Sequence, residues 1–332
     1  MSDAVVRAAA PAPVKRISPR GAGLDPGFKY FCGAAATLLL AALSGILISL
    51  MIGGWPAFHK FGLGFFVSSQ WNPVTEVYGA AGPIVGTIVT AVLSLLFALP
   101  LAFGVAVFLV EFCPRALRRP IGVAVELLAG VPSIVYGMWG LFVFAPLFAK
   151  YIQTPLLLAF PDPTDQTVSA PARLVATIVQ GTPNGANILT ASIILAIMIL
   201  PYIAATLREL FLTVPPKLRE SAYGVGSTSM EVIWSVTLPY VRRSAIGAVM
   251  LGLGRALGET MAVTFVIGNS HDFPKSLFAS GSTIASTIAN EFAEATSEIH
   301  TSALIALGLV LFLITFVVLA IARALLGRPP QV

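Results

Sequence analysis

Six long stretches of this 332-residue chain are largely apolar, and that property excludes most folds otherwise open to it. They cover 30–52, 83–110, 122–148, 188–207, 245–268 and 303–322. Crossing a hydrocarbon layer takes about 20 apolar residues as helix, because every backbone polar group must be satisfied within the segment. The runs are too apolar all round for amphipathic surface helices and too long for the strands of an outer-membrane barrel. Only 11% of the residues are charged, where a soluble domain carries about a quarter, so a soluble fold would lack the polar surface to cover itself. The expected fold is all-α: a polytopic membrane protein with about six transmembrane helices.

Orientation follows from Lys and Arg, which stay on the cytoplasmic side of a bilayer. With the N-terminus inside, the inner side holds Arg7, Lys15, Arg16, Arg20, Lys29, Arg115, Arg118, Arg119, Arg208, Lys217, Arg219, Arg242, Arg243, Arg323 and Arg328, while the outer loops hold Lys60, Lys150, Arg173 and Lys275. Both termini are therefore expected in the cytoplasm, which requires an even number of spans. The net charge of +5 is a topology signal and gives no reason to expect a nucleic-acid partner. Residues 1–28 are polar, Ala/Pro-rich and basic, and read as a disordered cytoplasmic tail ahead of a membrane domain at 29–326. Cys32 and Cys113 lie on the reducing side, where packing is their expected role.

Three outer segments connect the spans. The first, 53–82, is rich in Gly and in aromatics (Trp55, Phe65, Phe66, Trp71, Tyr78) suited to the lipid–water boundary. The second, 150–186, carries Pro155, Pro161, Pro163, Pro171 and Pro183 and reads as an irregular loop with a short helix. In the third, 269–301, Glu291, Glu294 and Glu298 stand at helical spacing and read as the solvated face of a surface helix. Nothing completes a metal-ligand set around them, with His300 alone nearby.

The inner connection at 208–244 is too long for a simple loop. Pro215 and Pro216 end one helix, Lys217 to Tyr223 start another, Gly224 and Gly226 stop it, and 231–236 restarts before Pro239 breaks the chain. The expected product is a short helix across the inner face.

Within it, Glu220, Ser221 and Ala222, then Gly226 after three residues, then Val236, Thr237, Leu238 and Pro239 after nine more, resemble the cytoplasmic signature of the permease subunits of binding-protein-dependent ABC importers. The resemblance implies the type I permease fold and a coupling helix at about 217–227 that docks in a cleft of an ATP-binding subunit. Small Ala222, Gly224 and Gly226 permit close approach and a tight turn, and Glu220 with Arg219 offers charge on the exposed side. Residues 247–269 (GAVMLGLGRALGETMAVTFVIGN), 129–144 (AGVPSIVYGMWGLFVF) and 82–111 are similar to phosphate-specific importer permeases of the C-subunit type. The likeness covers nearly the whole of 83–322, without the N-terminal tail, and the outer loop at 150–186 offers no motif to match.

Arg255 and Glu259 sit midway along the fifth run, where an ionised side chain costs about 2.5 to 3.5 kcal/mol to insert. Four apart on one helix, they share a face and can pair. Stability alone is a poor reason to bury such a pair, since well-packed apolar residues often serve as well. A guanidinium fork matches the acceptor oxygens of phosphate, so Arg255 would neutralise the anion in transit, and Glu259 would hold the Arg and keep the anion from binding too tightly to leave. In the phosphate permeases the matching pair is implicated in transport. Thr260 and Thr264 would add donors, and Gly252, Gly254 and Gly258 room for close packing. Glu126, about a turn inside the third run, reaches the inner interface and needs no special role.

The chain has no G-x-x-x-x-G-K-[ST] phosphate loop, no metal-ligand spacing among His59, His271 and His300, and no nucleophile–base pair. It is thus expected to be a non-catalytic subunit without cofactor or metal, and the resemblance implies that it sits in lipid in a bacterial inner membrane and imports inorganic phosphate. The resemblance implies three classes of partner beyond lipid: a second related permease forming a heterodimer, two ATP-binding subunits, and a periplasmic phosphate-binding protein. Rival readings are a permease for sulfate or molybdate, an ion-coupled secondary transporter with Glu259 as proton carrier, and a membrane-embedded enzyme or sensor.

Overall fold

The computed structural model describes residues 25–160 and 170–326. The expected tail up to residue 24, with Arg7, Lys15, Arg16 and Arg20, lies outside the described residues, as do Pro161, Pro163 and Arg328.

The chain divides into two compact units, 1–49 and 50–332. The described part of the first is the opening of helix α1 (Asp25–Phe61), apolar and almost wholly exposed within the chain. Residues 25–28, assigned to the tail on sequence, are helical.

The second unit begins with the rest of α1. Ser302 fastens it: its hydroxyl accepts from the Ala57 amide (3.0 Å) and donates to the Gly53 carbonyl (2.8 Å). Next come α2 (Gly64–Val67), a hairpin of β1 (Trp71–Asn72) and β2 (Val77–Tyr78), and α3 (Ala81–Val107) with a π-helical turn at Phe108–Phe112. Helix α4 (Arg115–Ala129) precedes a helical run at 133–159 that comprises α5 (Ser133–Trp139), α6 (Ala145–Phe148), α7 (Thr154–Ala159) and the π-turns between them. After α8 (Ala170–Val179) come α9 (Ile188–Leu212), α10 (Pro216–Gly224), α11 (Ser229–Val232), α12 (Leu238–Leu257), α13 (Met261–Val266), α14 (Ile284–Glu291) and α15 (Glu298–Leu326).

Among the described residues five helices are long and apolar enough to cross a membrane: 26–61, 81–112, 133–159, 188–212 and 298–324. The core of the second unit is the seam between α3 and α9, which brings Ala91, Ala98, Ala102 and Ala106 together with Ala191, Ile194, Leu195 and Met198. Small residues on one side bring the backbones close enough for dispersion contacts to replace the hydrophobic drive that lipid does not supply. Helix α12 lies against α9, α3 and α15. A Cβ on Gly252 would fall 2.7 Å from Ile203 of α9, so α12 approaches α9 closely there.

Several expectations need correction. The third apolar run is not one span: its first part belongs to α4, which is amphipathic, and the crossing helix starts at Ser133 after a break at Gly130–Pro132. Pro132 has no amide to donate to a continuing helix, and its ring disfavours the helical conformation in the residue before it. The expected crossing at 245–268 is also broken, since α12 stops at Leu257, Gly258 caps it, and α13 starts only at Met261. Pro239 breaks nothing, because the π-turn at 233–237 leads straight into α12 and places the proline in its first turn, where no amide donor is needed. Glu291 ends α14 and Glu298 begins α15, so the three outer glutamates share no helix. The loop at 150–186 is helical to Ala159 and again at 170–179. Phe65 and Tyr78, expected at the lipid boundary, are buried at 0% and 1% exposure against Phe58, Phe61 and Trp71, whereas Trp55 is exposed. Cys113 is buried and Cys32 exposed.

Candidate functional sites along the spans and at the inner face

The break after α12 brings four of the sequence-predicted residues to one place. Arg255 lies in the last turn of α12, exposed, with its guanidinium carbon 6.0 Å from the ring centre of Tyr202 on α9. Glu259 sits between the helices, partly buried, and its Oε1 accepts from the Ala262 amide at 3.3 Å. It thereby caps α13. A cation near the carbonyl end of α12 and an anion at the amide end of α13 each oppose the local helix dipole charge, so the break is stabilised by the residues that occupy it. Thr260 donates to the Gly258 carbonyl (3.4 Å) and Thr264 to that of Thr260 (2.8 Å), so both hydroxyl protons stay within the segment.

Arg255 and Glu259 form no ion pair, contrary to the expectation from their spacing. One turn apart holds only on a continuous helix, and Gly258 ends this one. Arg255 is therefore left facing out of the chain. Gly252 makes the expected close approach, whereas a Cβ on Gly258 would meet only the Gly254 carbonyl at 3.7 Å. Opposite this segment, α5 packs on α13 at Gly137, where a Cβ would fall 3.0 Å from the Ala262 Cα.

At the Lys/Arg-rich end, α10 lies where the short inner helix was expected, and Gly226 at φ +90° ends it in a conformation that L side chains rarely adopt. Glu220 and Ser221 are exposed, Ala222 is half-buried, and Leu238 and Pro239 open α12. Leu218, Val225 and Met230 are exposed apolar side chains around α10, at 45%, 85% and 56%. Arg219 does not join Glu220 on the outer side. It turns inward to Glu111, in the π-turn that ends the α3 span, and Tyr223 donates its hydroxyl to the other oxygen of Glu111 at 3.2 Å. The Glu111 side chain is 8% exposed and the Arg219 side chain 21%. Arg219 and Tyr223, one turn apart, thus grip a single buried carboxylate. Glu126 pairs with Arg208 at 2.9 Å, which holds α4 to α9.

At the opposite end, sequence reasoning missed a cluster. Glu291 receives His271 Nε2 on Oε1 (3.0 Å), and His300 Nε2 (2.9 Å) and the Trp71 indole (2.5 Å) on Oε2. Trp71 stacks on His271 and Tyr78 on His300. His300 is therefore not alone and Glu291 is not a solvated carboxylate. Burial by itself would raise the Glu291 pKa, but the bonds from His271, Trp71 and His300 together hold it below the ordinary carboxylate value. The described residues contain no group of three His, Cys, Asp or Glu arranged to hold a metal ion. Near this end, segment 276–281 is bonded to the end of α8 and the start of α9, with the Leu277 amide donating to the Ile178 carbonyl and the Ile188 amide to that of Ala279.

Comparison with known proteins adds three kinds of likeness. Residues 98–328 match the model of the family described as binding-protein-dependent transport system inner membrane component. The phosphate transport system permease protein PstC of Mesorhizobium japonicum is 53% identical over 92% of this chain and 90% of its own length. That of Pasteurella multocida is 52% identical over 88% of each, and the probable PstC of Methanocaldococcus jannaschii is 38% identical over 82% and 86%. Among solved structures, a chain of the bacterial alginate ABC transporter in complex with its alginate-bound periplasmic protein superposes with a TM-score of 0.51 at 18% identity, covering 92% of this chain and 96% of that one. A chain of the inward-facing MetNI methionine ABC transporter gives 0.51 at 18% identity, over 78% and 100%. At that identity the structures share the fold.

Proposed function

The chain belongs to the binding-protein-dependent transport system inner membrane components and is the permease subunit of a phosphate ABC importer; from that premise we propose that Arg255 carries the anion through the membrane and that α10 couples the subunit to ATP hydrolysis. The observation that carries the reading is the break at 258–260, which leaves one guanidinium exposed on an otherwise apolar helix face with its neighbouring carboxylate engaged elsewhere. An unpaired cation among lipid-facing helices is costly, and a second permease closing over it would turn that cost into an anion site. Glu259 shapes the site by capping α13, and the Thr260 and Thr264 hydroxyls can turn from backbone carbonyls to donate to the substrate as it passes.

Both termini and α10 lie in the cytoplasm on this reading, because the arginines of α4, α10 and the start of α12 share one end. Two ATP-binding subunits supply the energy. One receives α10 through Glu220, Ser221, Ala222, Gly226 and the exposed Leu218 and Val225, and closure of the ATPase pair moves α10, which pulls the α3 span through Glu111. A periplasmic phosphate-binding protein delivers substrate at the end that carries the Glu291 cluster.

Uptake of radiolabelled phosphate into vesicles holding the full complex tests the reading. ATP-dependent uptake that excess sulfate and molybdate leave unchanged supports it. Equal competition by either oxyanion makes the chain a general oxyanion permease, and uptake by this chain without an ATPase makes it a secondary transporter.

A further inference from the structure

An apolar groove of about 610 Å³ opens at the Lys/Arg-rich end of the molecule, lined by Leu99 and Phe103 of α3, Leu207 of α9, Trp234, and Ala245 and Val249 of α12. Arg242 stands at its edge as the single charged lining residue. It is exposed and takes part in none of the ion pairs among the described residues. Trp234, which also lines the groove, is 57% exposed and has an apolar body and one polar group, suited to the boundary between lipid and water.

The level of the groove follows from α9. Leu207 lines it and Arg208 is the next residue, the first charge after the apolar run of that span. Arg242 is therefore at headgroup height, and Ala245 and Val249 are one and two turns into the hydrocarbon. Its direction follows from α12, a continuous helix from Leu238 to Leu257. At 100° per residue Arg242 and Val249 lie about 140° and about 120° around the axis from Arg255, so the groove opens away from the face on which a second permease would close.

We propose that this groove binds an anionic phospholipid, with an acyl chain between α3 and α12 and the headgroup phosphate on the Arg242 guanidinium. A planar fork of donors fits phosphate oxygens, and basic pockets between spans on the cytoplasmic side suit anionic headgroups. The apolar walls select a lipid over a free anion, which would find one cationic side chain and nothing else to hold it. The choice of lipid over a second permease rests on the role given to Arg255 above, whereas the level of Arg242 does not.

The test is native mass spectrometry of the delipidated full complex, titrated with long-chain phosphatidylglycerol, long-chain phosphatidylcholine, dihexanoyl phosphatidylglycerol and inorganic phosphate. The proposal expects long-chain phosphatidylglycerol to bind about tenfold more tightly than phosphatidylcholine, and Arg242→Gln to bring the two within about twofold of each other. Ala245→Phe, and independently Val249→Phe in case the first fails to assemble, should weaken both long-chain lipids by filling the groove. A preference for phosphatidylglycerol that survives Arg242→Gln overturns the proposal. Binding of dihexanoyl phosphatidylglycerol or inorganic phosphate as tight as that of the long-chain lipid overturns it as well, since the site would then read only an anion. A photoreactive group at Val249 that captures a protein chain rather than lipid shows the groove to be a subunit interface. None of these readouts requires transport, so they stand whether or not phosphate proves to be the cargo.

Discussion

Freeing α10 from Glu111 should uncouple ATP hydrolysis from transport. The carboxylate is 8% exposed and receives two donors from one face of α10, and a hydrogen bond to a charged group is worth about 1.5 to 3 kcal/mol. Glu111→Gln keeps the shape and removes the charge. Because the Arg219 side chain is 21% exposed, water compensates part of the loss, leaving about 2 kcal/mol, or about a thirtyfold shift toward an α10 detached from the α3 span. In proteoliposomes holding the full complex, the ATP hydrolysed per phosphate delivered should rise about tenfold or more, and amide exchange over 216–224 should quicken. A double-mutant cycle on the melting of the complex, with Glu111→Ala and Arg219→Ala, should give a coupling of about 1.5 to 3 kcal/mol. An unchanged ATP-to-phosphate ratio together with a coupling below about 0.5 kcal/mol would refute the role of Glu111 as a strut.

Three further outcomes follow from the packing. Gly252→Val places methyl groups where a Cβ already falls 2.7 Å from Ile203, so overpacking should destabilise the α9–α12 contact by about 1 to 3 kcal/mol, read as a lower melting temperature of the detergent-solubilised chain. Glu291 has a folded pKa below its ordinary value of about 4.3, so its contribution to stability is complete above that value and is lost as the pH falls through the folded pKa. Glu291→Gln should accordingly lower stability at neutral pH and flatten its decline on the acid side, as followed by intrinsic tryptophan fluorescence, to which Trp71 beside the carboxylate contributes. Arg208→Ala leaves Glu126 without its partner and should loosen α4 from α9, read as faster amide exchange across 115–129 with little change elsewhere.

The sequence and the structure agree where information is local and strongly periodic. Apolar runs at 83–110, 188–207 and 303–322 became spans because nothing within them offers the backbone an alternative, and Pro215–Pro216 with Gly226 marked out α10. The errors arose where hydropathy continued across a backbone break. Residues 122–148 and 245–268 are largely apolar, yet Gly130–Pro132 and Gly258–Thr260 interrupt them. Gly258 followed by Glu259 is a helix stop followed by a carboxylate that caps the next start, a signal present in the residues and masked by the apolar average. The pairings of Glu111 with Arg219 and of Glu291 with His271 and His300 had no such signal. They join residues distant in sequence or set on separate elements, and only the packing of the spans brings them together.

The most direct test of the account is phosphate uptake by vesicles holding the full complex with Arg255→Ala and Arg255→Lys. The account predicts that Arg255→Ala abolishes ATP-dependent uptake while the complex still assembles, and that Arg255→Lys retains a fraction, because an ammonium keeps the charge and loses the fork. Uptake by Arg255→Ala at the wild-type rate would contradict it and would leave Arg255 a residue of helix packing alone.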